Sequence, residues 1–295
     1  MSYEKRLDRA YKNALKLPLC PDSRYVFISD CHRGTGTSTD NFLRNQNLFF
    51  AALQHYYRNG FCYIELGDGD ELWENRSQNR IIEIHDNAFW LMSQFYKENR
   101  FYMVYGNHDI CKKNGKFMER NCSSFFSHRS VVPLFPEMKV YESILLQNGC
   151  GGKDIWSVHG HQVDFLNSVL WRLAKFLVRY VWKPLENLGV LDPTSAARNN
   201  TKKEKTEERL SQYSNQKGII LIAGHTHRPM CPTNPSDHYF NTGSCVHPRC
   251  ITALEVVGNE IALVKWTVET RPDASLYVGR KVLEKTTLVR NVLFI

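Results

Sequence analysis

The sequence predicts an α/β protein, with a largely parallel sheet built from strand–helix–strand units followed by a second, mixed sheet. Three observations carry this reading. From Tyr25 to Tyr105, short β-rich apolar runs alternate with helical patterns at the spacing of βαβ units. Each of those runs ends in a polar motif: Asp30-Cys31-His32, Gly67-Asp68 or Gly106-Asn107-His108-Asp109. The second half of the chain then changes to short strand-like runs, two of which also end in His.

Taken in order, Tyr3 to Leu17 reads as a short amphipathic helix closed by Pro18 and Pro21. Tyr25 to Ser29 is the first strand, and a polar loop, Arg33 to Asp40, leads into a helical stretch from Asn41 to Arg58. Phe61 to Leu66 is the second strand, and a helix near Ile81 to Asn99 precedes the third, Phe101 to Tyr105. Ligands of such sheets gather outside the carboxyl ends of the strands, where all three polar motifs fall. The second sheet is expected from Val140–Leu146, Asp154–Val158, Gly218–Ala223, Tyr239–Thr242, Ile251–Val257 and Ile261–Thr267. His159-Gly160-His161 and Gly224-His225-Thr226-His227-Arg228-Pro229 close two of these runs. There is no internal repeat.

One segment, Gln162 to Lys217, does not fit a compact pair of sheets. Val163 to Leu188 is rich in Leu, Val, Phe and Trp, with Arg172, Lys175, Arg179 and Lys183 at spacings of three and four, a basic stripe on an apolar helix. Asn199 to Asn215 is polar and charge-dense. Three readings stand: a helix that covers core surface, an insertion beside the site that gives an apolar wall or basic groups to an anionic and lipid-like substrate, or an interfacial membrane helix.

With 295 residues, 42% hydrophobic and 23% charged, the chain has globular composition, which excludes wholesale disorder. A net charge of +8 favours anionic partners such as phosphates, nucleic acid or an acidic membrane surface. Nine Cys without a CxxC pair suit reduced thiols rather than a disulfide framework. The N-terminus has no signal-peptide core, and no stretch of about 18 uncharged apolar residues is present. A cytoplasmic location is therefore expected, or a peripheral one at the inner face of the membrane.

The strand ends collect Asp30, His32, Asp68, Asn107, His159, His225 and His227, with His108 beside them. Carboxylate, imidazole and amide oxygen, with no thiolate, suit Mn, Fe or Zn rather than a structural Cys-zinc site. Seven candidate ligands exceed what one tetrahedral ion needs. Two ions about 3.5–4 Å apart, bridged by one carboxylate, would use them all, generating a hydroxide at neutral pH and clamping the oxygens of an in-line displacement at phosphorus.

In their order along the chain, Asp-x-His, Gly-Asp, Gly-Asn-His-Asp, a later His and Gly-His-x-His, these motifs resemble those of the calcineurin-like metallophosphoesterases. The resemblance implies a four-layer αββα sandwich of two mixed sheets flanked by helices, one domain over residues 1–295, with residues 162–217 as a helical insertion or lid. It assigns Asp30, His32 and His227 to one metal, Asn107, His159 and His225 to the other, and Asp68 to both. His108 becomes the general acid, or a cation that stabilises the transition state. Its orienting carboxylate is expected at Glu71, with Asp70 as competitor. Arg33 and Arg228 flank metal ligands and are candidates for binding a substrate phosphate, the alternative being surface Arg. His161 is a third candidate for substrate contact, the other readings being a group supporting the ligands or a cap on the following helix. Asn241 to Ser244 reads as structural support.

Within the family, the Gly-Asp-x-x-Glu-Leu-Trp arrangement, the insertion and Gly-His-Thr-His-Arg-Pro are similar to the bacterial UDP-2,3-diacylglucosamine pyrophosphatase branch. That branch carries Arg where His108 stands, and His-Gly-Asp where this chain has His159-Gly160-His161. Its architecture is therefore expected here without its substrate. The activity implied is hydrolysis of a phosphate mono- or diester, or of a pyrophosphate, with two divalent ions, Mn foremost, on a small or lipid-linked substrate. Peripheral membrane contact through residues 163–188 goes with this reading. A protein Ser/Thr phosphatase is the runner-up, although a helical insertion suits a protein substrate poorly. The positive charge leaves a nuclease open, but the aromatics do not interleave with Lys and Arg as in a base-stacking platform. A non-catalytic binding module would show lost ligands, and none is missing.

Overall fold

The computed structural model describes residues 2–37, 39–127, 130–149, 151–182, 200–232, 234 and 236–288. The chain opens with α1 (Tyr3–Lys12), whose first turn is capped by Ser2, and β1 (Leu15–Leu19). Next come β2 (Arg24–Ile28), α2 (Gln46–Arg58), β3 (Cys62–Leu66), α3 (Gln78–Ile84), α4 (Asp86–Lys97) and β4 (Phe101–Val104). After α5 (Gly115–Asn121), a hairpin forms from β5 (Ser124–Ser127) and β6 (Ser130–Pro133), followed by β7 (Val140–Tyr141), β8 (Ser143–Asn148) and β9 (Ile155–Val158). The insertion supplies α6 (Phe165–Ser168), α7 (Trp171–Leu177), a π-helical turn (Val178–Trp182) and α8 (Asn200–Lys217). The expected Lys183 and the stretch up to residue 199 lie outside the described residues. Last are β10 (Ile220–Ala223), β11 (Tyr239–Asn241), β12 (Cys250–Val257), β13 (Glu260–Thr270) and β14 (Leu276–Thr287).

Two mixed sheets result. One has the order β14-β13-β12-β2-β3-β4-β7, with β2, β3, β4 and β7 parallel and β12 to β14 antiparallel. The other has the order β1-β8-β9-β10-β11, in which only the β8–β9 pair is antiparallel. Strand alternation decides which layer each residue joins. Val26 and Ile28 face α2 and α4, which bury Phe49, Ala52, Leu53, Phe89 and Phe95 against them. Phe27, Ile64, Leu66 and Val104 meet Ile144, Leu146, Ile155, Ile220 and Ile222 between the sheets. Trp156, Val158, Leu221 and Ala223 face outward to Leu7 and Ala10 of α1 and to Leu210 and Tyr213 of α8. The layers are thus helix, sheet, sheet, helix. Phe27 is fully buried between the two sheets. Phe27→Ala is expected to cost about 3–5 kcal/mol, read as a lower urea midpoint at unchanged slope.

Several boundaries and one sheet assignment differ from expectation: Ile251–Val257 and Ile261–Thr267, expected in the second sheet, are β12 and β13 of the first, where β12 pairs antiparallel with β2. The N-terminal helix stops at Lys12, because Leu15, Leu17 and Leu19 alternate with Lys16 and Pro18 and pair with β8 as an edge strand, where Pro is tolerated. Val140 to Leu146 is two strands in two sheets, with the chain crossing between layers at Glu142. The helix near Ile81 to Asn99 breaks at His85, whose Nε2 is bound to Asp40 at 3.0 Å. The hairpin of β5 and β6 and the long edge strand β14 were not expected.

Candidate metal centre

The carboxyl ends of β2, β3 and β4 meet those of β9 and β10 at one edge of the sandwich. Backbone hydrogen bonds link the turns: Asp30 N–H to Gly67 O at 3.1 Å, His32 N–H to Asp68 O at 2.9 Å, and Gly224 N–H to His159 O at 3.0 Å. The turns are tight. Of the eight non-glycine residues with positive φ among the described residues, five are Asp30, His32, Asp68, His225 and His227, at +48° to +70°. Asp and His tolerate this region better than most residues, yet it still strains the backbone. Gly67, at φ +86°, has room for no side chain, because a Cβ there would run into the His159 ring. A Cβ on Gly106 would meet the Asp68 carboxylate.

Six of the seven expected ligands fall into two groups. Asp30, His32 and His227 form one, and Asp68, His159 and His225 form the other. In each group the ligand-type atoms lie within 4.8 Å of one another. Asn107, the seventh, is buried in the turn whose next residue, His108, bonds to Asp68. Asp68 Oδ2 is 3.1 Å from His159 Nε2 and 3.9 Å from His32 Nε2, so it stands between the groups. Its Oδ1 accepts the His108 backbone N–H at 2.7 Å. Asp30 is divided likewise. Oδ2 accepts from the Ser29 hydroxyl and from His225 N–H at 2.9 Å, leaving Oδ1 at 3.1 Å from His227 Nε2. His159 Nδ1–H donates to Leu66 O at 2.9 Å, which fixes the ring and turns Nε2 inward.

The residues fit a pair of divalent cations. Of the fourteen buried side-chain atoms without a hydrogen-bond partner among the described residues, four, Asp30 Oδ1, Asn107 Oδ1, His159 Nε2 and His225 Nε2, belong to expected ligands and gather at this one edge. Buried polar atoms are rarely orphaned unless an ion or water takes them. Around the site six buried carboxyl groups, of Asp30, Glu65, Asp68, Asp70, Glu71 and Asp109, face two buried cations, Arg33 and Lys112. Two divalent ions would balance that excess.

Glu71, not Asp70, reaches the expected acid. His108 Nδ1 is 2.8 Å from the Glu71 carboxylate, and His32 Nδ1 is 2.7 Å from it. One carboxylate thus orients the imidazole of an expected metal ligand and the His108 ring together. Trp73 stacks on His108 at 4.3 Å between ring centroids, so the imidazole is held on its edge and its face. Asp70 is committed elsewhere, to Arg33, Lys112 and Gln78.

Arg33 needs correcting. It is 0% exposed, with Nε 2.6 Å from Asp70 and both terminal nitrogens 2.8 Å from Glu65, so it neither faces a substrate nor lies on the surface. Arg228 is half exposed and pairs with Glu207 of α8. His161 is buried, its ring 5.5 Å from that of His159, and burial together with His159 and His225 pushes its pKa well below the ordinary value. It is a neutral neighbour of the ligands and caps no helix, because Asp164 accepts from Leu166 N–H at 2.9 Å to cap α6. Asn241 does support the last His motif, donating to Gly224 O at 2.8 Å. Unforeseen were Lys112 and Trp73, and Arg179, expected only as part of the basic stripe, has a contact that was not foreseen. The Arg179 guanidinium donates to the carbonyls of Leu72, Trp73 and Asn75 at 2.7–3.0 Å.

In the metal-free protein the imidazoles titrate unlike one another. Burial lowers His32, but the Glu71 carboxylate outweighs it, with Asp68 and Asp30 adding, and lifts the pKa to about 10. His159 is lowered by burial and raised more by Asp68 and Asp30, to about 9. Burial and the neighbouring His159 take His225 down to about 4. His32 and His159 are thus protonated at pH 7, and their raised values add stability that is full below about 6.5 and lost as pH rises through 9 to 10. Metal ligation needs the neutral rings. Metal loading at pH 7 is therefore expected to release protons, and apparent affinity to rise with pH toward about 10. Calorimetry in buffers of different ionisation enthalpy checks this, and no proton release at pH 7 contradicts it.

Comparison with known proteins places the fold. The family model for calcineurin-like phosphoesterases matches residues 23–229, and the chain belongs to that family. No curated protein matches. Among solved structures, Vps29 of Chaetomium thermophilum is similar at 11% identity and a TM-score of 0.42, covering 90% of this chain and 99% of its own. Vps29 of Cryptosporidium parvum gives 14% and 0.36, covering 88% and 97%. A hypothetical protein of Thermus thermophilus gives 13% and 0.34, covering 89% and 100%. Likenesses at this level bear on neither activity nor partners. No described helix is long and apolar enough to cross a membrane.

Proposed function

We propose that this protein is a dimetal phosphoesterase that hydrolyses a phosphate mono- or diester, or a pyrophosphate, of a small or lipid-linked substrate. The observation that carries the reading is Asp68 Oδ2 standing between two groups of ligand atoms, several of whose lone pairs have no other partner. Two divalent ions there, Mn first and Fe or Zn next, would supply an acidified water and positive charge for the phosphoryl oxygens. The chain's own residues do the rest. Asp30, His32 and His227 hold one side, Asn107, His159 and His225 the other, and Asp68 both. His108, oriented by Glu71 and backed by Trp73, stands beside them with a proton on offer for the leaving oxygen. Burial lowers the His108 pKa, but Glu71 and Asp68 outweigh it and raise it, which suits an acid that must be protonated near neutral pH.

The insertion supports the substrate class. Its described part presents Phe165, Val169, Leu173, Phe176 and Tyr180 to solvent at spacings of three and four, with Arg172 exposed beside them and no acidic residue from Phe165 to Trp182. Arg179 fastens this segment to the loop that carries Glu71. An apolar wall with basic flanks beside a phosphate site suits a lipid-linked phosphate, the architecture of the UDP-2,3-diacylglucosamine pyrophosphatase branch. It also suits peripheral contact with an inner membrane face from the cytoplasm, and one domain containing an insertion over residues 162–217.

The test is direct. Purified protein, with its metal quantified, is assayed with Mn on p-nitrophenyl phosphate, its bis-ester, a phosphopeptide and single-stranded DNA. Hydrolysis of either nitrophenyl ester is the expected result. Turnover of the phosphopeptide or DNA alone redirects the reading to a protein phosphatase or a nuclease, and no turnover with two ions bound favours a binding module.

A further inference from the structure

Beneath the metal ligands lies a second cluster, in which five charged side chains share a fully buried space. Arg33 is bound by Glu65 through both terminal nitrogens and by Asp70 through Nε, and its guanidinium lies 5.0 Å over the Phe89 ring. Lys112, 1% exposed, places Nζ 2.7 Å from Asp70, 3.2 Å from Asp109 and 4.0 Å from Glu65. Asp109 in turn accepts Gly106 N–H at 2.7 Å and Gly69 N–H at 3.0 Å. The cluster therefore touches three loops: the one after β2 with Asp30 and His32, the one after β3 with Asp68 and Glu71, and the one after β4 with Asn107 and His108.

Buried ion pairs are weak sources of stability, because desolvation offsets most of the attraction. What they can do is fix geometry. Arg33 shares Asp70 with Lys112, but it also grips Glu65 through both terminal nitrogens and lies over the Phe89 ring, which hold it in place without Lys112. Asp70 and Asp109, by contrast, are like charges brought close, and Lys112 is the cation between them. Without it they repel, and Asp109 is the group that ties Gly106 to Gly69.

We propose that Lys112 is a positioning residue for the metal centre: by holding Asp109 to Asp70 it seats the Asn107 loop against the Asp68 loop and completes the half-site of Asn107, His159 and His225. The proposal rests on the dimetal reading. It makes the two half-sites unequal, because the Asp30, His32 and His227 half depends on the Arg33 side of the cluster.

The experiment titrates Mn into full-length wild-type and Lys112→Met protein, reading stoichiometry, the affinity of each ion, thermal midpoint and the spin-coupled electron paramagnetic signal of a Mn pair. Expected are two ions and the coupled signal in the wild type. In Lys112→Met one ion keeps its affinity, the second weakens about 10–100-fold, the usual effect of losing a supporting contact, and the coupled signal disappears. Should Lys112→Met fail to fold, Lys112→Gln, which keeps an N–H donor without the charge, is expected to show the same selective loss at the lower end of that range. Two ions at wild-type affinities in a folded variant overturn the proposal. So does equal weakening of both ions in step with the thermal midpoint, or failure of both variants to fold, since each marks a merely structural lysine. A wild type that holds fewer than two ions overturns the dimetal reading itself, and the proposal with it.

Discussion

Asp68→Ala is expected to abolish hydrolysis, lowering kcat/KM by at least about 10³-fold, or about 4 kcal/mol of transition-state stabilisation. Three losses coincide in this one substitution. Among the described residues, Oδ2 is the only carboxylate oxygen within reach of both His159 on one side and His32 on the other, so neither half-site keeps its shared ligand. Oδ1 holds the His108 backbone N–H, so the acid's loop is released as well. The substitution also removes part of the negative charge that two divalent ions balance. Metal analysis and p-nitrophenyl phosphate kinetics on the same preparation make the check. Wild-type turnover by Asp68→Ala would end the dimetal reading. His225→Ala is expected to be similarly inactive, through one half-site only.

His108→Ala should lower kcat by about 10²–10⁴-fold while both ions stay bound. His108 is in neither half-site group, although its ring lies with His32 and Glu71 in a third cluster of ligand-type atoms, so its loss leaves the lone pairs of the seven expected ligands in place. The size of the loss should depend on the leaving group. A proton matters more to an alkoxide than to p-nitrophenolate, so a general acid predicts a larger defect on an alkyl phosphate. An equal defect on both substrates identifies His108 as a cation for the transition state instead. Loss of metal from His108→Ala contradicts both roles. Glu71→Gln is a harsher change, because the same carboxylate orients His32, and it should cost metal affinity as well as rate.

Much of this was legible in the sequence. Strand ends show through because an apolar run that stops at Asp, His or Asn advertises both the strand and its exposed edge, and five such ends identify one rim. The helix, sheet, sheet, helix layering followed from the family the motifs resemble, whereas the runs alone put Ile251–Val257 and Ile261–Thr267 in the second sheet although both belong to the first, with β2. Arg33 misled because position in the chain cannot distinguish a cation aimed at substrate from one turned inward. Glu65, which receives it, sits inside an apolar strand and gives no signal of its own. Lys112 was hidden for the same reason, although its place three residues after Asp109 in a single helical turn was an available clue. Val140 to Leu146 was read as one strand because the apolar run continues through the crossing between sheets, and periodicity does not record which sheet a strand joins.

The clasp between Arg179 and the carbonyls of Leu72, Trp73 and Asn75 has a kinetic consequence. Those carbonyls belong to the loop that carries Glu71 and the ring stacked on His108, so whatever grips the insertion pulls on the proton donor. On the proposed reading, recognition of the distal part of a substrate and timing of proton delivery are mechanically joined. Damage to the insertion should register in turnover number as well as in apparent affinity, and a truncated substrate that never touches the insertion should be cleaved more slowly even at saturation.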